Sequence, residues 1–148
     1  MSLAIYKTKL DCSIAAAKYG AGKIRAALEA KGECRIIVAT GASQFDMLSQ
    51  LASEEGIDWG KVTLFHLDEY VALPESHPAS FRKYIKERFV AKLPKPLHEA
   101  NYVPGDAAEV LAAIDKLGAH LQEKPVEVCF IGIAILPPSS KVAACSKA

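Results

Sequence analysis

Apolar and polar positions follow two different periods along this chain. Short apolar runs rich in β-branched residues predict strands at residues 34–39, 62–67 and 126–131, with shorter strands at 4–6 and 101–103. Between them, apolar residues recur every three or four positions, which predicts helices over residues 12–28, 44–53, 78–89 and 106–122. This alternation predicts an α/β fold, a three-layer sandwich around a mostly parallel, Rossmann-like sheet.

Residues that favour helix ends set the expected boundaries. Asp11 is expected to cap the first helix, Pro78 to occupy the first position of the third, and Asp106 to cap the fourth. The spacing of apolar residues in the fourth helix predicts an inward face made of Val110, Leu111, Ile114, Leu117 and Leu121.

Composition narrows the class of protein. The chain has 148 residues, of which 51% are hydrophobic and 24% charged, so one globular domain is expected. Lys and Arg number 18 against 17 acidic residues, without a basic cluster interleaved with aromatics, so neither nucleic acid nor a membrane surface is an expected partner. No stretch approaches the length of a membrane span or the apolar core of a signal peptide, and a cytoplasmic protein is expected.

The cysteines and histidines give little support to a metal site. Four cysteines, at positions 12, 34, 129 and 145, are far apart, which favours reduced core thiols over a disulfide frame or a zinc site. His66 and Asp68 share one face of a predicted strand and His77 lies in the next loop, but no second pair follows at ligand spacing. Neither a metal nor a cofactor is expected.

Two adjacent carboxylates, Asp68 and Glu69, follow the strand predicted at residues 62–67. The carboxyl ends of parallel strands line the ligand crevice of an open α/β sheet. Partial burial there would raise the pKa of a carboxyl group, so that it could exchange a proton with carbon near neutral pH. Asp68 is therefore the candidate proton-transfer base. The alternative is that Asp68 caps the next loop or helix while Glu69 is solvated.

A turn of small residues, Thr40, Gly41, Ala42 and Ser43, connects the strand at 34–39 to a helix. Backbone N–H groups at the start of a helix and the helix dipole together form an anion site, and the two hydroxyls could add donors. The turn lacks the lysine of a Walker loop, so an ordinary capped turn is an alternative. A phosphate anchor here, beside a base at Asp68, would suit isomerisation of a sugar phosphate.

The segment from residue 65 to 81 resembles a known family. FHLDEYV, followed by LP and HPASF, resembles the signature of glucosamine-6-phosphate deaminases, and ATGAS at residues 39–43 resembles their phosphate-loop region. The resemblance implies that Asp68 moves a proton between C2 and C1 of the ring-opened amino sugar, with Glu69 in a supporting role. It also implies that the turn binds the phosphate. Related 6-phosphogluconolactonases tend to carry Arg where this chain has Tyr70, which favours the deaminase branch.

Beyond Ile133 the sequence departs from the pattern of that family. The family continues with a Gly-rich loop carrying Asp, then Gly-His, then Ala-Phe-Asn-Glu or a close variant, and the histidine is its ring-opening acid/base. Residues 134–148 contain paired prolines, small residues and lysines instead. We therefore expect a family-like domain over residues 1–133 and an irregular tail from 134 to 148.

This departure predicts a sheet that is incomplete at its C-terminal side, as in a truncated or frame-altered gene product. An incomplete sheet exposes a strand edge and apolar helix faces, so self-association is expected. The resemblance implies conversion of glucosamine-6-phosphate to fructose-6-phosphate and ammonia, with activity reduced by the missing histidine. The alternatives are a non-catalytic module that binds a sugar phosphate and a hydrolase of the 6-phosphogluconolactonase type.

Overall fold

A computed structural model describes residues 3–132, and the tail expected at 134–148 lies outside these residues. The helices and strands in chain order are α1 (Lys9–Lys31), β1 (Cys34–Val38), α2 (Phe45–Ala52), β2 (Val62–His66), α3 (Phe81–Arg88), β3 (Glu99–Asn101), α4 (Val110–Gln122) and β4 (Val128–Phe130). Short 3₁₀ turns at Trp59–Lys61 and Val90–Lys92 precede β2 and follow α3.

The strands form one parallel sheet in the order β3-β2-β1-β4. At the centre, β1 pairs with β2 so that Val38 lies opposite His66. The outer pairings place Val38 opposite Phe130 of β4 and Phe65 opposite Asn101 of β3. The prediction of an α/β fold around a parallel sheet is confirmed.

Successive residues of β1 face two different helical layers. Ile36 and Val38 belong to the core that the sheet shares with α1, α2 and α3. Arg35, the residue before Ile36, points to the opposite side of the sheet. It donates to three carbonyl oxygens at and just after the end of α4 and lies 4.8 Å from the centre of the Phe65 ring. Helices therefore cover both faces, because the side chains of a strand alternate from side to side.

Small residues let α1 approach the sheet closely. Ala17, Ala21 and Ile24 are completely buried on its inner face. The ring of Phe130 occupies the space that a Cβ at Gly20 would need, so this contact between α1 and β4 requires glycine. Burial of apolar surface in this layer is the main source of stability for the sheet.

The expected starts of the first and third helices are wrong because other side chains cap them. The hydroxyl of Thr8 accepts a hydrogen bond from the backbone N–H of Asp11 at 3.0 Å, so α1 begins at Lys9. The hydroxyl of Ser80 accepts from the N–H of Lys83 at 3.3 Å, so α3 begins at Phe81 and Pro78 lies before it. Hydroxyl caps compete well with carboxylate caps, and the two types cannot be ranked from sequence alone.

The fourth helix also begins later than expected. Asp106 does not cap it; α4 begins at Val110, after Glu109. The Asp106 carboxylate instead accepts a hydrogen bond from the guanidinium of Arg82 at 2.7 Å. An ion pair with a helix far away in sequence has therefore replaced the local cap.

Two apolar patterns differ from their predictions. Residues 4–6 form no strand, and Leu3 and Ile5 are 89% and 88% exposed. In α4, Leu111 is 75% and Ile114 39% exposed, and a cavity of about 350 Å³ lies between the sheet and the helix at Ile114, Leu117 and Leu121. Helical spacing of apolar residues identifies one apolar face of a helix, but it does not ensure that this face packs against the sheet.

The cysteines in the described part of the chain are free thiols. Cys34 is buried, as expected, but Cys12 and Cys129 are exposed, so the expectation of core thiols holds for only one of the three. Between residues 3 and 132 no helix combines the length and hydropathy that a membrane crossing requires.

We predict that Leu64→Ala destabilises the fold by roughly 2–5 kcal/mol, because it removes buried atoms and leaves a cavity. Leu64 is 1% exposed at the centre of β2. Urea unfolding followed by circular dichroism would measure the loss. Leu111→Ala on exposed α4 surface is the matched control, and equal losses in both variants would contradict this packing.

Candidate functional site at the carboxyl edge of the sheet

The two groups of residues predicted from sequence lie at neighbouring strand ends. Val38 and His66 are opposite each other, and both Thr40 and Asp68 follow two residues later. The N–H of Leu67 donates to the carbonyl of Val38 at 3.3 Å, which extends the strand pairing to the start of the site. Neighbouring strands are about 4.8 Å apart, so the turn and the carboxylate flank one short stretch of the sheet edge.

The small-residue turn has the geometry of an open helix start. Gly41 has a φ of +109°, a conformation that favours glycine, and its carbonyl accepts from the N–H of Gln44 at 3.0 Å. Gln44 precedes α2, and its side chain makes no capping hydrogen bond to the helix. The first turn of α2 therefore retains the positive end of its dipole for another acceptor.

A lysine that sequence reasoning missed lies beside this turn. The ammonium of Lys9, in the first turn of α1, donates to the carbonyl of Ala42 at 2.9 Å and lies 3.2 Å from the carboxylate of Asp46. Lys9 is 33 residues from Ala42 along the chain, and no local pattern indicates the contact. It brings a cation to a turn whose own sequence contains none.

Asp68 lies at the end of β2 and faces the cavity under α4. The residue is exposed as a whole, but it lines this cavity together with apolar residues such as Phe65 and Leu117. This partial burial, and after it the charge of Glu69, raises the pKa of Asp68. A raised pKa makes a carboxylate a better proton acceptor.

The side chain of Glu69 is buried and binds the start of α3 through both of its carboxylate oxygens. Oε1 accepts from the N–H groups of Tyr70 and Phe81 at 3.0 Å each. Oε2 accepts from the hydroxyl of Ser80 at 2.8 Å and from Arg82, through its backbone N–H at 2.9 Å and Nε at 3.1 Å. Burial alone would raise the pKa of Glu69, but these donors outweigh it and hold the pKa at about 2. Glu69 is therefore a fixed anion, and the alternative of a solvated Glu69 is wrong.

The histidines near the site are occupied by local contacts. Nε2 of His66 accepts from the N–H of Val103 at 2.8 Å, and burial lowers the pKa of His66 to about 4, so its ring is neutral at neutral pH. Nδ1 of His77 accepts from the N–H of Ala79 at 3.1 Å. Within residues 3–132, no group of three or more His, Cys, Asp or Glu side chains has the arrangement of a metal site.

The turn and the carboxylates open into separate cavities. Ala42 and Ser43 line a cavity of about 670 Å³ between α1, the start of α2 and β4. Asp68 and Glu69 line the smaller cavity of about 350 Å³ under α4, and Thr40 and Gly41 line neither. The structure thus brings the two groups to the same sheet edge and gives each its own opening.

A small-residue turn and a carboxylate lie at adjacent strand ends of a parallel sheet. This arrangement is typical of open α/β proteins, whose ligands bind at the carboxyl edge of the sheet. The family model for glucosamine-6-phosphate isomerases/6-phosphogluconolactonase matches residues 7–135. The chain belongs to that family, as the resemblance in residues 65–81 predicted.

Individual relatives agree with this assignment. The chain is 34% identical over 117 residues to glucosamine-6-phosphate deaminase 2 of Giardia intestinalis, a match that covers 76% of this chain and 44% of the relative. It is 30% identical over 128 residues to glucosamine-6-phosphate deaminase of Shewanella loihica, covering 84% and 48%. The chain spans less than half the length of these relatives.

Solved structures show the same fold. A monomeric glucosamine-6-phosphate deaminase has a TM-score of 0.72 at 22% identity, with 82% of this chain and 50% of that chain covered. A 6-phosphogluconolactonase from Thermotoga maritima has a TM-score of 0.66 at 19% identity, with 80% and 51% covered. At these identities the likeness concerns the fold alone.

We predict that Glu69 stays ionised until strongly acidic pH and that its protonation then destabilises the fold. Its pKa of about 2 is below the ordinary 4.5, so its contribution is complete above pH 4.5 and is lost as the pH falls through 2. The shift corresponds to on the order of 3 kcal/mol of unfolding free energy. An NMR titration of the Glu69 side chain should give a midpoint near 2, and a midpoint near 4.5 would contradict these contacts.

Two serine variants provide the control for this titration. Ser80→Ala removes one donor to Glu69 and should move its midpoint to higher pH. Ser76→Ala changes an exposed serine of the same loop and should leave the Glu69 titration as it is.

Proposed function

We propose that this chain carries the phosphate-binding turn and the proton-transfer base of an amino-sugar-phosphate deaminase/isomerase. The reaction converts glucosamine-6-phosphate and water to fructose-6-phosphate and ammonia. The observation that carries the proposal is the register of β1 and β2, which places Asp68 and the turn at equivalent positions on adjacent strand ends. The names of the related deaminases support the choice of substrate.

In this proposal the turn from Thr40 to Ser43 binds the phosphate. The open start of α2 supplies N–H donors and the positive end of the helix dipole, and the two hydroxyls add donors. The ammonium of Lys9 also lies beside the turn, where it pairs with Asp46 and would be a further donor to a phosphate. The phosphate is remote from the reacting carbons and takes no part in the chemical step. Its binding would instead hold the sugar chain in position for proton transfer.

Asp68 then acts on the ring-opened sugar. Its carboxylate accepts the proton from C2 and returns it to C1, which moves the carbonyl oxidation level from C1 to C2. Water replaces the amine at C2 and releases ammonia, leaving a ketose phosphate. Partial burial and the adjacent anionic Glu69 both favour proton acceptance by Asp68.

The second candidate function is binding of a sugar phosphate without catalysis. It is favoured by the separate cavity of Ala42 and Ser43, which could hold an anion without Asp68. Lactone hydrolysis stays a third alternative, since solved 6-phosphogluconolactonases share the fold. For either function we expect a cytoplasmic protein that self-associates.

We predict that Asp68→Asn lowers turnover of glucosamine-6-phosphate by about 10² to 10⁴-fold, because the amide cannot accept the proton. Phosphate binding should persist, since the turn is unchanged. Release of ammonia and formation of fructose-6-phosphate measure turnover, and a thermal shift with inorganic phosphate measures binding. Asp115→Asn, on the exposed surface of α4, is the matched control.

The outcomes separate the candidate functions. Turnover that is lost in Asp68→Asn and retained in Asp115→Asn supports the deaminase. Stabilisation by the sugar phosphate without turnover in the unaltered chain supports the binding module. Full turnover in Asp68→Asn would overturn the assignment of the base, and hydrolysis of 6-phosphogluconolactone instead would select the third alternative.

A further inference from the structure

Asp68 lies between two residues that are each held in place. On its N-terminal side, the N–H of Leu67 is bonded to the carbonyl of Val38 in β1. On its C-terminal side, the carboxylate of Glu69 is bonded to the first turn of α3. A single residue between two such points has little freedom to move its backbone.

In every hydrogen bond that its side chain makes, Glu69 is the acceptor, which is the only role open to an ionised carboxylate. All five of its hydrogen-bond partners are donors, from Tyr70, Ser80, Phe81 and twice from Arg82. A glutamine at this position would turn an N–H₂ group towards some of those donors. The surroundings of position 69 therefore favour glutamate over glutamine, although the two side chains have the same length.

Arg82 extends the attachment to two further segments. Its side chain is 8% exposed and donates to Glu69, to the carbonyl of Leu73 at 3.1 Å and to the carboxylate of Asp106 at 2.7 Å. The N–H of Ala72 donates to the carbonyl of Gly105 at 2.7 Å, which joins the same two segments a second time. The loop after Asp68 is therefore fixed to α3 and to the segment before α4.

We propose that Glu69 is a positioning residue for Asp68: by joining the loop to α3 and Arg82, it fixes the place and direction in which the Asp68 carboxylate meets its substrate. The inference rests on the proposed function, in which Asp68 is the base. Nothing in this role requires Glu69 to touch the substrate or to transfer a proton.

The charge of Glu69 has a second effect on Asp68. The titratable residues that line the cavity with Asp68 are His66 and Glu69. The pKa of His66 is lowered to about 4, so at neutral pH the charged neighbour of Asp68 in this lining is Glu69, whose buried carboxylate is paired with Arg82 on the side of α3. Like charges disfavour ionisation, so a permanently ionised Glu69 makes Asp68 accept a proton more readily.

The test compares Glu69→Gln with the control Glu75→Gln. Glu75 belongs to the same loop, but its partner is Lys86 at 2.7 Å on the protein surface. An NMR titration of Asp68 should show a lower midpoint in Glu69→Gln and no change in Glu75→Gln. If the proposed function holds, kcat of Glu69→Gln falls about 10²-fold with a small change in KM, since misplacing a base costs that much.

Turnover and titration together separate this role from a purely structural one. A residue that only capped α3 would lower the free energy of unfolding but leave both kcat and the Asp68 midpoint of the folded protein unchanged, and that result would overturn the proposal. If the unaltered chain and all of its variants lack turnover, the proposed function fails. The titration still shows in that case whether Glu69 affects the pKa of Asp68.

A second variant keeps the proposal open to disproof if Glu69→Gln does not fold. Asp106→Asn weakens the ion pair that holds Arg82. The Asp106 side chain is 37% exposed, so this substitution disturbs less buried structure than Glu69→Gln. Amide hydrogen exchange at residues 68–70 should become about tenfold faster than in the Asp115→Asn control. Unchanged exchange at these amides would overturn the anchoring of Asp68 through Arg82.

Discussion

The parallel pairing of β1 with β2 is the constraint on which the rest of the site depends. In a parallel pair both strands end at the same edge, so the residues that follow Val38 and His66 emerge side by side. An antiparallel arrangement of the same strands would place the Thr40 turn and Asp68 at opposite edges. The helices α1 and α2 cover the side of β1 that carries Ile36 and Val38, and Arg35 ties α4 to the other side.

Buried charge is the second physical theme of this structure. A carboxylate without partners in the interior would cost several kcal/mol, and would become protonated instead. Glu69 avoids this with five donors, and Arg82 avoids it with two carboxylates and a carbonyl. Such networks contribute little net stability compared with apolar packing, but they define one conformation, because every alternative leaves a charge unpaired.

Local pattern was sufficient for the elements and for part of the site. The β-branched runs located β1 and β2, and their sequence position alone placed Asp68 and the turn at strand ends. The family resemblance rested on the same segments. The contacts that orient these residues were not predictable, because Lys9 and Ala42 are 33 residues apart and Arg82 and Asp106 are 24 apart. Helix starts failed for a related reason: Thr8 and Ser80 offered caps close to the ones expected, and Asp106 had a distant partner.

The fold by itself does not select the chemistry. A deaminase and a 6-phosphogluconolactonase match this chain with TM-scores of 0.72 and 0.66, so the same sheet supports both reactions. What differs between such enzymes must lie in the side chains at the carboxyl edge and in their protonation. Proton transfer at carbon needs a carboxylate that is basic, fixed and close to the substrate. Partial burial and Glu69 raise the pKa of Asp68, and the proposed positioning by Glu69 would supply the second property. If the proposed function holds, the segment from Leu67 to Arg82, rather than the sheet shared with the relatives, is where the chemistry of this chain is decided.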